Sequence, residues 1–122
     1  AERGLTGRLQ ISPMGEMRAV PDFVSFHRGG VNFPWKSLAA LFAQRIARRH
    51  GLDPVLAMDR AMAHFRTDLY RTHLREAGAA LPGASARLEG ALAVDREVAA
   101  EKGQMILRAD AFFDGAVFEP RF

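Results

Sequence analysis

Cysteine is absent from the 122 residues. That excludes disulfide staples, thiol nucleophiles and thiolate metal sites, and it leaves the redox compartment undecided. Long apolar runs are absent as well. None approaches the ~18 residues of a membrane span, and the N-terminus has no basic stretch leading into an apolar core and a cleavage site. The expected protein makes no membrane contact, and the cytoplasm is its default compartment. No nucleophile elbow, phosphate loop, dinucleotide fingerprint, paired-histidine zinc motif or EF-hand loop can be read. The expectation therefore leans away from an enzyme, and no cofactor or metal is implied. Lysine is nearly missing, with two residues against fifteen arginines. The cationic surface is thus built from the side chain that forks onto carboxylates and phosphates. The chain starts at Ala1 without methionine and stops at an apolar Phe122, which reads as a trimmed form or a segment of a longer polypeptide.

What is present suits one soluble globular domain over 1–122, with 48% apolar and 25% charged residues. A chain of this length buries about two-thirds of its unfolded surface, so its core needs no metal. From Leu9 to Trp35 the pattern is one of strands and turns. Leu9 and Ile11 alternate with polar neighbours, Pro13-Met14-Gly15 makes a turn, and Phe23, Phe26, Phe33 and Trp35 surround a second turn at Arg28-Gly29-Gly30. Trp35, Leu38, Phe42 and Ile46 then recur at helical spacing, and that stripe is expected to face a core. Gly51 followed by Leu52 marks the end of this helix, and Asp53 with Pro54 caps and opens the next.

The second helix is expected to run to about Gly78. With Arg60 at 0° and 100° per residue, Val55, Met58, Met62, Phe65 and Leu69 fall between 140° and 220°. Arg60, His64, Thr67, Arg71 and Arg75 fall within about 60° of zero, so an apolar face lies opposite a basic one. Ser85 to Lys102 reads as a weaker third helix stopped by Gly103. Asp114-Gly115 is the preferred loop of a two-residue hairpin, which pairs Phe113 with Ala116 and puts Leu107, Ala109, Ala111, Phe113, Phe118 and Phe122 on one apolar face. Strands at the two ends with helices between them make the expected fold α+β, not a doubly wound parallel sheet.

Charge is unevenly placed. Residues 36–78 hold eight basic and four acidic side chains, and the remainder holds nine basic and ten acidic. All the excess positive charge therefore sits on the helical pair, together with His50, His64 and His73. A solvated arginine-rich face explains this pattern, and so does a surface for a polyanion. On the second reading the phosphate contacts are Arg48, Arg49, Arg60, Arg71 and Arg75, and the partner is nucleic acid or an acidic protein surface. Arg28, beside Phe26 and two glycines, adds a stacking contact for a single strand.

The segment Ile46-Ala47-Arg48-Arg49-His50-Gly51-Leu52-Asp53-Pro54 resembles the middle of a helix-turn-helix DNA-binding motif over about twenty residues. A small residue, Ala47, stands four before the turn glycine, and an apolar one, Leu52, follows it. The chain departs from that family at Arg60 and Ala57, where larger apolar residues are usual, and in the length of the second helix. What the resemblance implies is a second helix that reads DNA.

Two further classes compete. A protein-protein assembly or adaptor subunit, including a homo-oligomer, would use Met58, Met62 and Phe65 or the edge of the terminal hairpin. An enzyme of unrecognised type would assemble its site around His64 and Asp68, four apart on one helix, with Asp22 and His27 as further candidates. For His64 a surface histidine paired with Asp68 accounts for the same spacing.

Overall fold

The computed structural model describes residues 30–120 in full and, ahead of them, the backbone of strands β1 (Arg8–Gln10) and β2 (Met17–Ala19). These two pair antiparallel with Leu9 opposite Arg18. The expected turn at Arg28-Gly29 lies outside the described residues. Gly30, with φ +71°, begins a turn closed by a bond from Phe33 N–H to its carbonyl at 3.0 Å.

Helix α1 spans Lys36–Arg49 and α2 spans Pro54–His64. The junction follows from three residues. Gly51 takes φ +67°, which lets Leu52 N–H return to the Ala47 carbonyl at 2.8 Å and closes α1. Asp53 Oδ1 accepts from Val55 N–H and Leu56 N–H, at 3.0 and 3.3 Å, and caps α2, whose first residue is Pro54. The stripe along α1 is distributed differently from the expected one. Trp35 is buried, but Phe42 and Ile46 are 54% and 58% exposed, while Ser37, Ala39, Ala40, Leu41 and Ala47 are the buried residues. The covered residues of α1 are thus mostly small, and the large apolar Phe42 and Ile46 lie outside that set.

The expected long second helix is bent. It stops at His64 and resumes as α3, Thr67–Leu74, with Phe65 and Arg66 in non-helical conformation between them. No proline or glycine causes the break. Lys36 Nζ donates to the carbonyls of Met62 and Phe65, at 2.6 and 3.0 Å, and thereby satisfies the end of α2 from the first residue of α1.

Residues 85–102 form no helix. Gly90 adopts φ +86°, a conformation foreign to a right-handed helix, and Arg96–Ala99 form strand β3. β3 pairs antiparallel with β4, Gln104–Leu107, in the register Val98 opposite Met105. The hairpin therefore lies one step earlier than expected. At Asp114-Gly115 a turn does form, with Gly115 N–H on the Phe112 carbonyl at 3.0 Å. Among the described residues it joins no strand pair, and the sole ladder contact there after Leu107 is a bridge from Phe118 to Glu89. The competing interaction is long-range. The Asp110 carboxylate accepts from Gly90 N–H and Leu92 N–H, and the Leu92 carbonyl accepts from Asp110 N–H and Ala111 N–H. These bonds hold 108–111 against 90–92 instead of against the residues after Gly115.

The core sits between the start of α1, α3 and one face of the β3–β4 hairpin. Met105 and Leu107 alternate inward along β4 and meet Phe33 and Trp35, with Leu38, Tyr70, Leu92 and Val98 around them. Phe33 packs edge-on against both Trp35 and Tyr70, with centroids 4.9 and 5.4 Å apart. The fold is thus small and α+β, with two helices, the second one bent, and antiparallel strand pairs.

Candidate functional site

The five arginines singled out by the sequence part into two groups. Arg71 and Arg75, on α3, are engaged within the chain. Arg71 donates to the carbonyls of Pro82 and Ala84, to Ser85 Oγ and to Glu101 Oε1, and its guanidinium lies 5.0 Å from the Phe33 ring centre. Arg75 forks onto both oxygens of Glu101, with Nη2 at 2.9 Å from Oε2. Arg75 foremost, with Arg71, holds the Glu101 carboxyl below its ordinary pKa. Arg66 is likewise engaged, as a two-point fork on Asp68 at 2.9 and 2.7 Å.

Arg48 and Arg49 lie in the last turn of α1, and Arg60 lies in the middle of α2. All three are exposed, as is Arg45 one turn earlier, and among the described residues no salt bridge ties any of the four to a carboxylate. The bend at Phe65–Arg66 separates Arg60 from Arg71 and Arg75, so the continuous basic face drawn at 100° per residue does not exist. Arg28 lies outside the described residues.

The same bend removes the paired spacing of His64 and Asp68. They sit on either side of non-helical residues, and the Asp68 carboxylate faces Arg66. Among the described residues no three His, Asp or Glu side chains approach closely enough to share a metal ion. Asp22 and His27 are outside the described residues. Met62 is buried and Met58 and Phe65 are half-buried, so the three do not form the open apolar surface that an adaptor would use.

The Arg66 fork, by hydrogen bonding first, lowers the Asp68 pKa to about 2. A depressed carboxyl stabilises the fold above its unfolded value and loses that contribution as pH falls through the folded one. The window here runs from about 4 down to about 2, and the contribution is small because the pair is fully solvated. An NMR titration should place the Asp68 midpoint near 2, and Arg66→Gln should return it to roughly 3.9. A wild-type midpoint near 4 would show that the fork is not held in solution.

Sequence reasoning missed a buried polar network that joins α1 to the segment 87–110. Ser37 Oγ, fully buried, donates to Glu89 Oε1 at 2.7 Å and accepts from Arg87 N–H at 3.0 Å. Arg87 Nε reaches Glu89 at 3.3 Å, its Nη2 approaches Asp110 at 3.6 Å, and its guanidinium lies 4.8 Å from the Trp35 ring centre. Partners 50 and 52 residues apart leave no local signal in the chain.

Comparison with protein-family models, with curated proteins and with solved structures found no match. Among the described residues no helix is long and apolar enough to cross a membrane.

Proposed function

We propose that the chain is a binding module that engages a polyanion, nucleic acid in the first place, through exposed arginines of the α1–α2 hairpin, two at the end of α1 and one midway along α2. One observation carries this reading. Arg48, Arg49 and Arg60 remain exposed and free of carboxylate partners among the described residues, whereas Arg66, Arg71 and Arg75 are each matched within the chain. A guanidinium that no carboxylate neutralises presents its planar donors to phosphate oxygens, and each contact releases condensed counterions. The footprint is smaller than the sequence suggests, with three phosphate contacts in place of five.

Fluorescence anisotropy with labelled duplex and single strands tests this. Three contacts should cost roughly fortyfold in affinity between about 50 and 200 mM salt. The variant combining Arg48→Ala, Arg49→Ala and Arg60→Ala should lose most of that slope, by about one unit per arginine. Arg75→Ala should leave the slope unchanged. Absence of binding at the lower salt, or a slope indifferent to the triple substitution, would overturn the reading.

A further inference from the structure

We infer that the cleft between α1 and the turn at residues 112–115 is a self-complementary surface through which two copies of this chain associate. The inference stands apart from the polyanion reading and uses different residues.

The cleft encloses about 220 Å³ and is lined by Leu41, Phe42, Arg45, Phe112, Phe113 and Asp114. Phe113 is 103% exposed, as open as in an extended chain, and Phe42 on the facing wall is more than half exposed. Ile46, one turn beyond Phe42, continues the apolar strip. Together these large side chains form an apolar surface of the kind that soluble proteins usually keep covered.

The turn that carries Phe113 is braced. Asp114 Oδ1 accepts from Ala116 N–H at 3.0 Å, Gly115 N–H closes on the Phe112 carbonyl, and the Phe112 ring is packed directly against Gly90. Phe113 is therefore held outward by a fixed turn. Benzene is taken up by protein cavities of ~150 Å³, so the cleft has room for one phenyl ring.

Charge selects the occupant. The α1 wall carries a cation, Arg45, and the turn wall carries an anion, Asp114, and neither is in a salt bridge among the described residues. In a two-fold interface, if residue i of one copy meets j of the other, then j also meets i. A patch with one charge of each sign on opposite walls of an apolar cleft meets that condition with itself. Arg45 of one protomer faces Asp114 of its partner, twice, and each Phe113 ring enters the opposite cleft. A purely acidic or purely basic partner would leave one wall facing a like charge, which costs affinity.

Sedimentation velocity of the full chain from micromolar to millimolar concentration provides the test, with circular dichroism confirming that each variant is folded. The wild type should show a concentration-dependent dimer. Phe113→Ser should weaken it at least about tenfold, as expected for loss of an aromatic anchor. Arg45→Asp and Asp114→Arg should each weaken it by a similar factor, because each puts like charges at both symmetric contacts. The double variant should recover to within about threefold of the wild type, since it exchanges the charges between walls. Asp114→Asn keeps the acceptor for Ala116 N–H, so it reports on charge alone if Asp114→Arg unfolds the turn; it too should weaken the dimer. A strict monomer, a dimer unaffected by Phe113→Ser or by the charge variants, or a double variant no better than the single ones would overturn the inference.

Discussion

Glu89→Ala should destabilise the protein by about 3 kcal/mol, the lower end of the cost of breaking a buried ion pair. Glu89 is 2% exposed, and its carboxylate receives both the Ser37 hydroxyl and the Arg87 guanidinium. Truncation leaves the hydroxyl without an acceptor in a site sealed from water. Arg87 keeps its approach to Asp110 and its seat over Trp35, and for that reason the upper end of the range is not expected. Against a total stability of about 5–15 kcal/mol this is a large share. At roughly 4 °C per kcal/mol for a chain of this length, Tm should fall by about 12 °C. Glu89→Gln, which still accepts from Ser37 but carries no charge, should lose less. Urea unfolding of the three proteins is the measurement, and a loss below about 1 kcal/mol for the alanine variant would mean that water replaces the carboxylate.

The neighbouring position should be nearly as sensitive, for an unrelated reason. Gly90 has φ +86°, and a Cβ built there would stand 2.5 and 2.6 Å from carbons of the Phe112 ring and 2.8 Å from the Ala116 carbonyl oxygen. Left-handed backbone costs an alanine about 1–2 kcal/mol, and forcing a methyl into packed surroundings adds about 1–3. Gly90→Ala should therefore cost about 2–5 kcal/mol. Gly51 is the control, with φ +67° but nothing within 4 Å of the added carbon. Gly51→Ala should cost only the backbone part, about 1–2 kcal/mol. Equal losses in the two variants, read from urea midpoints at unchanged slope, would show that Phe112 moves aside freely.

These two neighbours also mark what the chain discloses and what it hides. The Gly51–Pro54 junction was legible because every interaction that builds it is local: a glycine that can take positive φ, a carboxylate within three residues of the amides it caps, and a proline at the first helical position. The α+β class followed from where strand-like and helix-like segments stand along the chain. The third helix and the Asp114 hairpin failed because the residues that redirect them are far away in sequence. Ser37 claims Glu89 across 52 residues, and Asp110 claims Gly90 and Leu92 across 20 and 18. The bend at Phe65 has the same origin, since the group that stabilises it is Lys36, 29 residues earlier. Part of the candidate site was visible. Positive charge does concentrate on the helical pair, but which arginines remain available depends on Glu101, which lies in the β3–β4 turn and is invisible to any helical projection.

The clasp that Lys36 makes on Met62 and Phe65 has a mechanical corollary. It brings the beginning and the end of residues 36–65 to one place, so the paired helices leave and rejoin the remainder of the chain at a common root. From that root to Arg48 and Arg49 the rise along α1 is about 19 Å at ~1.5 Å per residue. The cationic tip is an outrigger, remote from the aromatic cluster at its base. A polymer gripping the tip would leave the cluster undisturbed, and side chains at the tip are free to vary without reference to the packing at the root.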